Sequence, residues 1–460
     1  MSTRIADLAD IRLAIWGFAR EGRAALTALR RYFPHKPLTL FCSAAEATDA
    51  TSGLAADRQV RVVTQAPDVA ALEQFDVVIK SPGISPYKLP AAAALRAGVR
   101  FVSGSALWFA EHPRARTICV TGTKGKSTVS ALIAHLLRRG GTRVALAGNI
   151  GLPLLELIAP RQPPEWWVIE LSSFQTRDFA GAPTVAVINN LYDEHLDWHG
   201  TRERYAADKL RIAADASRLV VNAQDELLAA TRTHAARSVF GTRDGWHVEA
   251  GAVRRGEAAV LPLAAVPLPG LHNAQNVCAA LAAIDAAGLD ALALAPHVAT
   301  FKALPHRLQF LGARDGFAYV NDSIATTPHA TIEALRSVGE GAAVVLVGGF
   351  DRGIDWQPFV GHVAAHPPAG IVTMGANGAA IAAALKAIDR PGFALRETRS
   401  LGDALAQARA IAAADATIVL SPGAPSFDAF HDYAERGREF ARLAGFDPAA
   451  IAQIEGLGIG

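Results

Sequence analysis

Cysteine is scarce. The 460 residues hold three, Cys42, Cys119 and Cys278, too far apart for a disulfide framework, a zinc site or a redox pair. A reducing compartment, the cytoplasm, is the expectation. An excess of one charge is also missing: a formal net charge of +2 gives no footing for nucleic acid or an anionic membrane surface. No uninterrupted apolar run is long enough to span a bilayer, and the N-terminal stretch lacks the apolar core of a signal peptide. What is present is a hydrophobic fraction of 51% beside 19% charged residues, the composition of a globular chain. Its length exceeds what one core holds, so roughly two to four domains are expected.

The densest signal lies at Val120–Thr128. The strand-like run Thr117-Ile118-Cys119-Val120 enters Thr121-Gly122-Thr123-Lys124-Gly125-Lys126-Ser127-Thr128, and a helical pattern follows from Val129 to Leu137. A strand, a glycine loop and a helix opening at Gly-Lys-Ser make a phosphate cradle. Backbone N–H groups and the helix dipole meet the anion, and Lys126 adds a mobile charge. Ser127 is placed to offer its hydroxyl to magnesium. The first glycine of the standard pattern falls on Val120, so an ordinary βα turn stays open as a reading.

Upstream, a strand over 11–16 runs into Gly17-Phe18-Ala19-Arg20-Glu21-Gly22 and a helix over Arg23–Tyr32, a dinucleotide-fold opening without its middle glycine. The next strand, Leu38–Phe41, ends at Cys42 where a ribose-binding acid would stand, which disfavours NAD and an oxidoreductase. Asp76–Lys80 ends in Ser81-Pro82-Gly83, and Thr417–Leu420 in Ser421-Pro422-Gly423. That repetition reads either as two Rossmann-like sheets flanking the P-loop domain or as a common way to stop a strand.

Three further strands end in polar clusters, where ligands collect in a doubly wound sheet. Arg143–Ala147 precedes Gly148 and Asn149, and Trp166–Ile169 ends at Glu170, where a magnesium ligand would sit. Thr184–Ile188 leads to Asp193, Glu194 and His195, the last a candidate ligand with a structural role as the alternative. A helix over Glu203–Ala214 carries Lys209, by default a solvated lysine. Asn273 and Asn276 open a helix reaching Ala287, spaced either to cap it or to read the edge of a base. Strand and helix alternate again from Ala318 onward, which calls for a further α/β domain.

In this order, Gly122–Thr128, Glu170–Gln175, Asp193–Asp197, Lys209, His272–Asn276, Leu304–Arg307, Asn321–Ser323 and Ser421–Gly437 resemble the Mur ligase family of ATP-dependent amide-forming enzymes, over nearly the whole chain. The resemblance implies an α/β protein of three domains. A Rossmann-like UDP-substrate domain would cover 1–109, a central P-loop ATPase 110–303, and a C-terminal Rossmann-like glutamate-binding domain 304–460. It implies ATP held by Gly122, Thr123, Lys124, Gly125, Lys126, Ser127 and Thr128 with Asn273, Asn276, Arg307 and Asp322. The UDP substrate would meet Gly17, Phe18, Ala19, Arg20, Ser81, Pro82, Gly83 and Asn149. Lys126, Glu170, His195 and Lys209 become the catalytic set, with Ser127, Glu170, His195 and Lys209 around two Mg2+ ions. Lys209 is then expected as a carbamate, because an ammonium beside two dications would be repelled in a partly dry site.

The tail motif is similar to that of members adding glutamate to UDP-N-acetylmuramoyl-L-alanine, through an acyl phosphate, in peptidoglycan precursor synthesis. Their amino-acid pocket maps to Thr326, Arg352, Ser426, Phe427 and Tyr433. The stretch Asp322-Ser323-Ile324-Ala325-Thr326-Thr327 departs from the D-glutamate pattern Asp-Ser-Lys-Ala-Thr-Asn, so L-glutamate is preferred and D-glutamate is the alternative. A folate-type polyglutamate ligase and a non-catalytic nucleotide-binding regulator are the other readings. Retention of Lys126, Glu170, His195 and Lys209 together opposes the regulator. The expected partners are these small molecules, with no nucleic acid and no membrane, and the chain is expected to act as a monomer.

Overall fold

Short runs rich in valine, isoleucine and leucine are buried along their whole length here, as strands covered on both faces must be. The computed structural model describes residues 3–49 and 54–460. It divides into two units, the first joining residues up to Ala265 with Ala274–Ala299 and Gly456–Gly460, the second comprising Val266–Asn273 and Thr300–Glu455. Among the described residues no helix is long and apolar enough to cross a membrane.

The first unit holds two sheets. In one, β1 (Leu13–Trp16), β2 (Leu38–Phe41), β3 (Val60–Val63), β4 (Val77–Lys80) and β5 (Arg100–Val102) lie parallel in the order β3-β2-β1-β4-β5. Strand order reverses between β1 and β4, so the loops leaving them face each other at a topological switch point. Gly17 sits there with φ +90°, and a Cβ on it would lie 2.5 Å from the Ser81 hydroxyl oxygen. Close approach of the two loops therefore requires glycine.

The second sheet is built on β6 (Thr117–Thr121), β7 (Val144–Gly148), β8 (Trp166–Glu170), β9 (Val185–Ile188), β10 (Arg218–Asn222) and β11 (Ala236–Phe240). It continues through β12 (Trp246–Glu249), β13 (Ala252–Arg255) and β14 (Ala258–Pro262). The order is β14-β13-β12-β11-β10-β9-β6-β8-β7, and the short β21 (Gly458–Ile459) pairs antiparallel with β7. The P-loop strand β6 is central, between β8 and β9. One apolar cluster runs from Ile15 and Phe18 through Trp108 to Trp167 and Ile169, tying both sheets into one body. Polar ties reinforce it: Lys80 pairs with Asp178 at 2.9 Å, Trp198 Nε1 donates to the Gly83 carbonyl at 2.9 Å, and the Ser85 hydroxyl donates to the Trp198 carbonyl at 2.7 Å.

The second unit is a six-stranded sheet of β15 (Gln309–Arg314), β16 (Phe317–Asn321), β17 (Ala343–Val347), β18 (Gly370–Thr373), β19 (Ala394–Glu397) and β20 (Thr417–Leu420). Its order is β15-β16-β20-β17-β18-β19, antiparallel only between β15 and β16. An apolar layer covers each face, one around Leu346, Leu405 and Phe440, the other around Val345, Phe359 and Ile381.

Two expectations are corrected. The helix expected over Glu203–Ala214 runs from Arg202 to Leu210, and Arg211–Ala213 tightens into a 3-10 turn that buries Ile212 and Ala213. The sequence reading places no element between Ala214 and Gly270, yet β10 to β14 lie there.

Gly148 ends β7 with φ +100°, and a Cβ on it would come within 2.2 Å of the Glu170 carbonyl oxygen on β8. Gly148→Ala is expected to lose about 1–3 kcal/mol of stability, read as a lower thermal midpoint. An unchanged midpoint would show that β7 and β8 can separate at no cost.

Candidate active site

The glycine loop after β6 is pinned from both sides. The Thr123 amide donates to the Asn190 carbonyl at 2.9 Å, and the Lys124 amide to Asn190 Oδ1 at 2.8 Å. Gly125 is left-handed, φ +78°, and a Cβ there would sit 2.3 Å from Asn276 Oδ1 and 2.5 Å from Asn189 Nδ2. Those two amides bond each other at 2.9 Å. The loop thus closes over an asparagine pair, and the helix Lys126–Arg139 starts directly behind it with its amide ends free of a side-chain cap. Lys126 Nζ folds back to the Thr123 carbonyl at 2.9 Å, while Ser127 is buried and Thr128 half-buried. Lys124, exposed, reaches Glu194 at 2.6 Å.

Glu170 ends β8 with 1% of its surface exposed. Its Oε1 accepts from Asn149 Nδ2 at 3.1 Å, and its Oε2 is buried with no hydrogen-bond partner among the described residues. An unsatisfied buried acceptor of this kind costs about 1–3 kcal/mol, more when charged, so the oxygen fits a cation. The expected UDP contact Asn149 therefore has Glu170 as its polar partner, fixing the carboxylate's orientation.

Lys209 is 1% exposed, where a solvated lysine would be open. Its Nζ donates to the Gly122 carbonyl at 2.7 Å and to Thr121 Oγ1 at 3.4 Å. Burial, then the field of Lys126, drives its pKa well below the ordinary lysine value, against the pull of Glu194 and Glu170. The amine is consequently biased toward its neutral, nucleophilic form. His195 lies in the loop before it, left-handed at φ +56°, against the Phe174 ring at 4.9 Å. Burial lowers its pKa; Glu194 opposes the shift and Lys126 and Lys209 add to it, which leaves a lone pair for a metal. Among the described residues no three His, Cys, Asp or Glu side chains converge. A cation here would draw on mixed donors, among them the Ser127 hydroxyl, Glu170 and His195.

At the β1/β4 switch point, Phe18 is fully buried, Ala19 and Arg20 are exposed, and the Phe18 amide is taken by Glu46 Oε1 at 3.2 Å. The Ser81 hydroxyl is buried without a partner, and Gly83 gives its carbonyl to Trp198. The Phe18 amide and the Gly83 carbonyl of the expected UDP loops are thus held by the protein itself.

In the second unit, Asp322 follows β16 and is buried. It accepts from the Ser421 hydroxyl at 2.8 Å and the Leu308 amide at 3.1 Å. Burial pushes its carboxyl up to about 7, against these two bonds and the nearby Arg307 cation. Arg352 is exposed, with Nη2 3.4 Å from the Thr326 carbonyl. Ser426 is buried with an unpartnered hydroxyl, beside the exposed ring of Phe427. The loops after the adjacent strands β16, β20 and β17 therefore gather Thr326, Ser426, Phe427 and Arg352, with Tyr433 at the start of the helix Tyr433–Leu443. Asn273 Nδ2 donates to the Pro269 carbonyl at 2.7 Å, whereas Asn276 Oδ1 accepts from Nδ2 of Asn189, the P-loop partner.

The sequence reading gave no role to Asn189, Tyr205 or Arg436. Tyr205 OH meets Thr123 Oγ1 at 2.6 Å and its ring lies under Lys209. A second amide directly after a strand that neighbours the P-loop strand was the available signal for Asn189.

Residues 120–284 match the Mur ligase middle domain, and residues 306–424 the Mur ligase, glutamate ligase domain. A UDP-N-acetylmuramoyl-L-alanine–L-glutamate ligase of Xanthomonas campestris is 51% identical over 99% of this chain and 100% of its own. One from Xylella fastidiosa is 52% identical over the same shares, and one from Salinispora tropica 37% over 95% and 98%. Among solved structures, the UDP-N-acetylmuramate–alanine ligase of Thermotoga maritima matches with TM-score 0.60 and 18% identity, covering 94% of this chain and 99% of its own. A MurF ligase of Thermotoga maritima in complex with ADP matches with TM-score 0.55 and 16% identity, covering 89% and 94%. With a glycine loop pinned by paired amides, a glutamate oxygen without a partner and full-length relatives at half identity, this chain belongs to the Mur ligase family.

Proposed function

We propose that this chain joins L-glutamate to UDP-N-acetylmuramoyl-L-alanine at the expense of ATP, in peptidoglycan precursor synthesis. The observation that carries the chemistry is Lys209, buried against the P-loop carbonyl of Gly122. The full-length relatives named for L-glutamate, together with Ile324 and Thr327 in place of the D-glutamate pattern's lysine and asparagine, support the handedness.

A carboxylate is a poor electrophile, so amide formation begins by activating it. An oxygen of the alanyl carboxylate bonds to the γ-phosphorus of ATP, ADP departs, and an acyl phosphate remains. The glutamate nitrogen attacks its carbonyl carbon, phosphate leaves with the C–O electron pair, and the nitrogen gives up a proton. Bringing two anions together is the main barrier, and it is lowered by fixed cations. Lys126 is positioned on the P-loop to neutralise the transferring phosphate, and the helix Lys126–Arg139 directs its amides at it. Magnesium, when bound, screens the phosphate charge and orients its oxygens. Ser127, Glu170, His195 and Lys209 are the residues that would hold it.

Lys209 reaches that role as a carbamate. Its neutral amine adds to carbon dioxide, a C–N bond forms, one N–H proton is released, and an oxygen-donor anion replaces a cation. The remaining N–H still has the Gly122 carbonyl to bond. In this reading 1–109 binds the UDP moiety at Gly17–Arg20 and Ser81–Gly83, 110–303 carries the ATPase, and 304–460 brings glutamate at Thr326, Arg352, Ser426, Phe427 and Tyr433. Asn276, Asn273, Arg307 and Asp322 contact ATP, and the chain works as a monomer in the cytoplasm.

Lys209→Ala is expected to lower turnover by about 100-fold or more, with partial recovery in short carboxylates. Full activity in that variant would remove Lys209 from the mechanism. Depleting dissolved carbon dioxide from the wild type, then restoring bicarbonate, should lower and restore activity in step; indifference to bicarbonate would exclude the carbamate. Parallel phosphate-release assays with the two enantiomers of glutamate should show turnover with the L form, and turnover confined to the D form would reverse that assignment.

A further inference from the structure

Arg436 is among the largest fully buried side chains of the protein, 1% exposed. Arginine normally enters an interior beside a carboxylate. This one is satisfied by uncharged oxygens. Its Nε donates to Ser323 Oγ at 3.1 Å, Nη1 to the Pro425 carbonyl at 3.1 Å, and Nη2 to the carbonyls of Ser323 at 2.8 Å and Ala424 at 2.9 Å. Among the described residues no carboxylate lies within ion-pair reach, and Asp428 acts on it only through its field. Burial draws the guanidinium down to about 10, so it stays charged at neutral pH.

What it touches is informative. Ser323 belongs to the loop after β16 that carries Thr326, and its hydroxyl donates in turn to the Tyr433 carbonyl at 2.8 Å. Ala424 and Pro425 precede Ser426 and Phe427 in the loop after β20. The Pro425 carbonyl also accepts from the Phe350 amide at 2.9 Å, in the loop after β17 that carries Arg352. In that loop a Cβ at Gly349 would come within 3.1 Å of Arg436 Nη1. The fork bonds the loops after β16 and β20 directly, and the Pro425 carbonyl it shares with the Phe350 amide ties the loop after β17 to them; each of the three loops carries a residue of the proposed amino-acid pocket.

We propose that Arg436 is a positioning residue for the amino-acid substrate, locking the three pocket loops in one geometry and setting a buried positive charge beneath them that favours an amino acid bearing two carboxylates. This rests on the assignment of the glutamate pocket to Thr326, Arg352, Ser426, Phe427 and Tyr433.

Steady-state kinetics on Arg436→Gln, Arg436→Lys and Ser323→Ala, with Arg352→Ala as reference, test it. Arg436→Gln should raise the KM for glutamate about 30-fold or more and Arg436→Lys about 3- to 10-fold, because lysine keeps the charge but not the fork. Ser323→Ala, which deletes one acceptor, should raise it about 3-fold. The KM values for ATP and the UDP substrate should stay within about 2-fold in all three. Equal effects of lysine and glutamine would overturn the charge, and a parallel rise of all three KM values would overturn the positioning role. If Arg436→Gln does not fold by circular dichroism, the decision falls to Arg436→Lys and Ser323→Ala: a selective rise for glutamate supports the proposal and an unchanged value overturns it. Arg352→Ala separates the layers. A raised glutamate KM there with none in the Arg436 variants sinks only this inference, whereas no effect of Arg352→Ala sinks the pocket assignment itself.

Discussion

A buried lysine held in the field of a second, half-buried one is the constraint on which the P-loop corner of the first unit depends. Lys126 belongs to the glycine loop and Lys209 to the helix Arg202–Leu210, and burial makes their repulsion far more costly than in water. The relief available is chemical: one amine gives up its proton. Around that pair the fold supplies what a bare amine needs, a carbonyl from Gly122 to accept its N–H and the Tyr205 ring beneath it. It also supplies Glu170, whose second oxygen has no donor among the described residues.

The parallel sheet makes this possible by geometry alone. β6, β8 and β9 are neighbours, so the loops that leave them place Gly122, Glu170 and Asn189 side by side although the three are far apart in sequence. The same rule operates twice more. In the five-stranded sheet it brings Gly17 to Ser81, and in the second unit it brings the loops of β16, β20 and β17 together over Arg436. Each polar cluster stands where parallel strands end, and each is supported by a backbone contact that only glycine tolerates, at Gly17, Gly125 and Gly349.

Strands were the most legible part of the chain, because a fully buried strand is a continuous apolar run ended by a glycine or a polar cluster. Those at 117, 166, 185 and 417 begin within one residue of where the sequence puts them. The stretch from β10 to β14 was not legible. Its outer strands are short and mix apolar with charged residues without a period of two, as in Ala252-Val253-Arg254-Arg255, and stand half-open at the sheet's side. Lys209 shows the other limit. Local pattern makes it a surface lysine, and only contacts with a loop some ninety positions earlier bury it. Family likeness named it where periodicity could not. Arg436 was legible as part of a motif, but its role as a knot between loops depends on distances that no spacing rule encodes.

The short return strand β21 has a consequence for solution behaviour. Gly458 and Ile459 lie along β7, and the amide of Val144 and the carbonyl of Gly460 meet at 3.3 Å. Without that strip, β7 would present a row of bare amides and carbonyls next to the strand bearing Glu170. Such a row is adhesive toward any other extended peptide. The two-residue strip pairs with Ala145 and Leu146 and so occupies that part of the edge, beside the strand that carries Glu170.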